Sequence, residues 1–152
     1  MQLALYQPDI PQNAGTILRL CACMGITAHI IEPTGFPASD RAFRRAGMDY
    51  LDQVSIIRHI GWQDFEAFRR AEGLRIVLAS TKAETRYTDF AYSRRDVLLM
   101  GRESAGVPDE VHQAADARVI IPMQKTLRSI NVAVTAAMMI GEALRQLDAF
   151  PA

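Results

Sequence analysis

The chain has 152 residues, with 17 Lys and Arg against 17 Asp and Glu and a formal net charge of zero at pH 7. That balance, with 49% hydrophobic residues, fits a single globular domain over 1–152 that buries its own core, and excludes recruitment to nucleic acid by net charge alone. No apolar run reaches the ~18 residues of a membrane span, and the opening MQLALYQPDIPQN lacks a basic start and a small-residue cleavage site, so the expected compartment is the cytoplasm.

Strand and helix signals alternate along the chain. LALY (3–6) reads as a strand closed by Pro8 and Pro11, and QNAGTILRLCACMG (12–25) as a helix with Ile17, Leu18, Cys21 and Met24 on one side. AHII (28–31) is a strand, and SDRAFRRAG (39–47) a short helix capped by Ser39 or Asp40 and stopped at Gly47. VSII (54–57) precedes the helix WQDFEAFRRAEG (62–73), where Phe65 and Phe68 share a face. RIVLAS (75–80), DVLLMG (96–101) and RVIIP (118–122) read as further strands, with a short helix near 108–115 and a long one at 129–147. Strands of Val, Ile and Leu without polar alternation are covered on both faces. The expected fold is therefore α/β, a mostly parallel sheet with helices on both faces.

Cys21 and Cys23 lie two apart on the first helix and are expected to be buried, reduced thiols, with no metal site. The last helix keeps Val132, Val134, Ala136, Ala137, Met138, Met139, Ile140 and Ala143 nearly free of polar company. A helix apolar all round is buried on several sides, either at the centre of one core or, since the sheet of so small a domain covers only one side, against a second subunit. A homodimer interface is the expectation.

In an open parallel sheet, ligands sit beyond the carboxyl ends of the strands. Four loops there are chemically loaded: QPDIPQNAG, STKAE, GRESAG and PMQKTLRSIN. GRESAG has the glycine gap of a phosphate loop but no following Lys-Ser/Thr, and no G-x-G-x-x-G occurs. Tight loops rimmed by polar side chains suit a flat, neutral, hydrogen-bonding ligand such as an adenosine derivative.

PQNAGTILRL (11–20), LLMGRESAGVP (98–108) and IPMQKTLRSINVAVTAAMMIGEAL (121–144) resemble, in order and spacing, the three motifs of the SPOUT class of RNA 2′-O-methyltransferases. HIIEPTGFPASDRAFRRAGMDYLD (29–52) is similar to the small single-domain, TrmL-like subgroup that methylates the wobble ribose, nucleotide 34, of transfer RNA. The resemblance covers essentially the whole chain. It implies a C-terminal trefoil knot, S-adenosylmethionine as methyl donor without a metal, a homodimer and a transfer-RNA substrate. It also implies cofactor contacts at Ala79, Ser80, Thr81, Met100, Gly101, Gly106, Ile121, Met123, Leu127 and Ser129, the two glycines letting backbone approach the ligand.

By the same resemblance Asn13, Arg19, Glu103, Ser129 and Asn131 belong to the catalytic motifs. The reaction aligns oxygen, methyl and sulfur and assists loss of a hydroxyl proton. A guanidinium, with a pKa above about 12, is a poor base. Arg19 is therefore assigned to the RNA phosphate beside the target ribose, in its own or the neighbouring subunit, with Glu103 orienting it or a nearby donor. Asn13 also suits a helix start and Ser129 the cap of the last helix, whereas Asn131 has little structural reason to stand there. Arg41, Arg44 and Arg45 share one helical face, and with Lys82, Lys125 and Arg128 they are the candidate RNA contacts. Arg69, Arg70, Arg94 and Arg95 are expected to be plain surface. The alternatives are the same chemistry at another transfer- or ribosomal-RNA position, or a non-catalytic RNA- or S-adenosylmethionine-binding module.

Overall fold

A computed structural model of the chain describes residues 1–37, 39–45 and 51–152. The elements run β1 (Gln2–Tyr6), α1 (Pro11–Met24), β2 (Ala28–Ile31), α2 (Asp40–Arg45), β3 (Ile56–His59), α3 (Trp62–Ala71), β4 (Arg75–Ala79), β5 (Asp96–Met100), α4 (Asp109–Ala114), β6 (Ala117–Val119) and α5 (Val132–Leu147). Among the described residues six strands form one sheet in the order β3-β2-β1-β5-β4-β6, and their pairings are parallel.

Alternate side chains of each strand feed two separate cores. Leu3, Leu5, Ile30, Val77, Leu98 and Met100 meet the helix faces that carry Ile17, Leu18, Cys21, Met139 and Ile140. Ala4, Ile76, Leu78, Val97 and Leu99 meet Trp62 and Phe65 of α3 and Val111 of α4. Burial on both faces removes the polar alternation of a half-exposed strand, as the sequence predicts. No helix among the described residues is long and apolar enough to cross a membrane.

Several boundaries differ from the sequence reading. α1 starts at Pro11 itself, where the missing N–H of proline costs nothing, and ends on Gly25 at φ 65°. β3 lies two residues later than expected. β6 stops at Val119, because Ile120 pairs with the 85–87 segment: Tyr87 N–H donates to Ile120 O and Ile120 N–H to Thr85 O, both at 2.9 Å. α5 begins at Val132, and its cap is Asn131, whose side-chain oxygen accepts from Ala133 and Val134 N–H at 2.8 and 3.3 Å. Ser129, the expected cap, lies outside the helix. Only Cys21 is buried; Cys23, on the other side of α1, is exposed. Arg69 is not plain surface, since its side chain is 13% exposed and bonds Glu66 at 2.7 Å and Asp116 at 3.3 Å. Gly47, the expected stop of α2, lies outside the described residues.

Strand order reverses between β1 and β5, the place where the connections leave in opposite directions and a crevice opens beyond the carboxyl ends.

Candidate active site

The loops after β1, β4, β5 and β6 close around one cavity of about 650 Å³ at that edge, within the range of small-ligand sites. Ala79, Ser80 and Thr81 line it from β4, and Met100, Gly101 and Gly106 from β5. Ile121, Met123 and Ser129 line it from the segment after β6, with Asn13 and Asn131 beside them. Lys82, Glu103 and Arg128 also reach its wall. Leu127, Lys125 and Arg19 do not line it; Leu127 is 65% exposed. Arg19 stands on the exposed side of α1, and Lys125 is exposed beyond the loop.

Two side chains from distant motifs meet at the rim. Asn131 Nδ2 donates to Asn13 Oδ1 at 3.2 Å while Asn131 Oδ1 caps α5. Asn131 thus has a structural task after all, and its amide serves helix and site together.

The GRESAG loop is closed upon itself. Arg102 N–H donates to Gly106 O and Gly106 N–H to Arg102 O, both at 2.9 Å. A Cβ on Gly101 would stand 2.9 Å from the Gly106 backbone, and Gly106 sits at φ +64°. These glycines therefore also have a reason inside the loop: Gly101 makes way for Gly106, and Gly106 turns left-handed, while both line the cavity.

Asp9, which the sequence reading passes over, fastens this loop to the end of β1. Its N–H donates to Glu103 Oε2 at 3.0 Å, and Glu103 N–H donates back to Asp9 Oδ1 at 3.2 Å. Ser104 Oγ donates to Asp9 Oδ2, and Arg102 Nη2 lies 3.6 Å from that oxygen. A Cβ on Gly35 would come 2.7 Å from Asp9 Cβ, so the turn after β2 presses on the same residue. Glu103 is accordingly braced by Asp9. Hydrogen bonding with Glu103 and Ser104 holds Asp9 down at about 2. Burial, then the contact with Asp9, pushes Glu103 above the usual carboxylate range. Glu103 is thus the carboxyl of the pair that takes a proton first. The only pointer to Asp9 in the sequence is an acid held between Pro8 and Pro11.

His112 also lines the cavity. Arg118 Nε donates to its Nδ1 at 3.2 Å, which leaves the imidazole proton on Nε2, a buried donor without a partner among the described residues. The basic trio divides. Arg44 pairs with Asp52 at 3.2 Å, whereas Arg41 and Arg45 line a separate groove.

The SpoU rRNA Methylase family profile matches residues 1–141. The chain belongs to this family. A family relative from Beijerinckia indica, a tRNA (cytidine(34)-2'-O)-methyltransferase, is 65% identical over 147 residues, 97% of this chain and 92% of that protein. A solved structure described as giving structural insights into the 2-OH methylation of C/U34 on tRNA superposes with a TM-score of 0.87. It is 39% identical and covers 97% of this chain and 95% of that one. An AdoMet-bound rRNA methyltransferase from Sinorhizobium meliloti superposes with a TM-score of 0.86 at 32% identity, over 96% of this chain and 56% of the longer protein.

Proposed function

We propose that this SpoU-family chain is a cytoplasmic S-adenosylmethionine-dependent transfer-RNA ribose 2′-O-methyltransferase acting on nucleotide 34, cytidine or uridine. The observation that carries this reading is the convergence of three separated motifs on one cavity, tied by the Asn131–Asn13 bond. Near-full-length relatives of the stated activity support the target position.

The cavity fits the cofactor by its chemistry. Met100, Val119, Ile121 and Met123 offer apolar surface for a purine. Ser80, Thr81 and Ser129 offer hydroxyls, and the buried His112 Nε2–H is a donor awaiting an acceptor. When bound, S-adenosylmethionine supplies an electrophilic methyl group. The chain's own part is to orient and deprotonate the ribose hydroxyl. Glu103 Oε2 is engaged by Asp9 N–H, which leaves Oε1 to accept the proton, and burial raises its basicity. Asn13 and Asn131 hold the hydroxyl side of the site, and Ser129 the loop before α5. Lys82, Arg128 and Lys125 meet RNA phosphates at the mouth.

The active unit in this reading is a homodimer. α5 buries Ala136, Met139, Ile140, Ala143 and Leu144 but turns a second apolar stripe outward, with Val134 50% exposed and Ala137 exposed. Arg19, outside the cavity of its own chain, then serves the partner's site and steadies the developing alkoxide there. Incubation with methyl-labelled S-adenosylmethionine and bulk transfer RNA, followed by mass-spectrometric mapping, should place the label on the ribose of nucleotide 34. Label on a base, or on no RNA, rejects the assignment.

A further inference from the structure

We infer that the groove formed by Pro11, Gln12, Phe36, Pro37, Arg41 and Arg45 is a second RNA subsite, which takes one nucleotide flanking the methylated one: its phosphate between the two arginines, its base against the apolar wall. The inference rests on the proposed function and deepens it.

The groove, of about 390 Å³, shares the start of α1 with the main cavity. Pro11 and Gln12 form the start of α1, and the next residue, Asn13, already lines the cavity. A strand whose target ribose lies at Asn13 therefore leads directly past this groove. Arg41 and Arg45 are four residues apart on α2, so both project to one side, and both are exposed. Neither makes an ion pair among the described residues, whereas Arg44 between them is held by Asp52 through two contacts of 3.2 and 3.4 Å. The groove is thus lined by two guanidiniums that have no ion pair among the described residues and by the apolar Pro11, Phe36 and Pro37. Paired guanidiniums match the oxygens of one phosphate, and an apolar wall matches the face of a base. In a chain of zero net charge, such a local pair is what directs an anionic strand.

The test uses the full chain and an anticodon stem-loop RNA, with affinity measured across a salt series and methyl transfer followed with labelled S-adenosylmethionine. R41A/R45A should raise Kd and KM about tenfold and lower the salt slope by about 0.7, the contribution of one single-strand phosphate contact. R44A should bind RNA as wild type does. An RNA carrying one neutral methylphosphonate beside the target should bind wild type about tenfold more weakly and R41A/R45A no more weakly than unmodified RNA does. Wild-type methylation with R41A/R45A binding unchanged overturns the subsite and leaves the proposed function standing. Equal losses for R44A, or additive losses at every flanking methylphosphonate, also overturn it by showing a diffuse field. No methyl transfer by wild type removes both.

Discussion

An added Cβ at Gly101 would sit 2.9 Å from Gly106, so the loop itself needs these glycines. A reason of this kind is invisible in one dimension, because it depends on two backbones meeting across a turn. The same holds for His29 and His59, which the sequence scatters over β2 and β3. His29 Nε2 meets Gln2 Oε1 at 2.5 Å, His29 Nδ1 meets His59 Nε2 at 3.0 Å, and His59 Nδ1 faces Asp64 at 3.5 Å. Phe65 and Phe68 enclose the pair. Burial first, then the neighbouring His59, pushes His29 down to about 4 from the ordinary 6.5. Since the unfolded chain binds the proton more tightly, stability is fully present above pH 6.5 and falls as pH drops toward 4, by roughly 3 kcal/mol at most. His59, also lowered by burial, acts in the same direction, and Glu103, raised, in the opposite one. Urea midpoints at pH 7.5 and 4.5 should therefore differ more in wild type than in His29→Gln; equal differences would discard the account.

At the scale of elements, α5 shows what a sequence discloses and what it hides. Its apolar run announces a buried helix, but the start depends on which of Ser129 and Asn131 turns its oxygen to the first free N–H groups. Asn131 does so, and the same amide reaches Asn13. The two tasks separate by substitution. Asn131→Asp keeps the capping oxygen and loses the donor, so melting should stay close to wild type while methyl transfer falls at least tenfold. Asn131→Ala loses both, with about 1 kcal/mol of stability. Melting curves and turnover rates for the pair check this, and full activity in Asn131→Asp would show that the bond to Asn13 is incidental. The strands were legible because burial on both faces writes itself as Val, Ile and Leu. The end of β6 was not, because Ile120 is as apolar as a strand residue and only its pairing with 85–87 ends the regular ladder. Arg69 was misread for a related reason: besides Glu66 on its own helix it bonds Asp116, which is distant in sequence. Much of the candidate site was legible through motif order, yet Asp9 was not, since its bonds run to a loop 94 residues away.

For the molecule as a whole, the outward stripe on α5 argues for association. Val134→Glu should leave the fold intact and shift sedimentation from dimer to monomer at micromolar concentration. Wild type that already sediments as a monomer refutes the dimer. The cavity carries a further consequence. Its lining runs from Ile10 to Thr135, so no early intermediate that has assembled only half of the chain possesses a pocket. Ligand cannot guide the first steps of folding; it can only reward their completion. Capture of ligand during refolding is therefore a clock for completion of the pocket rather than for collapse of the sheet.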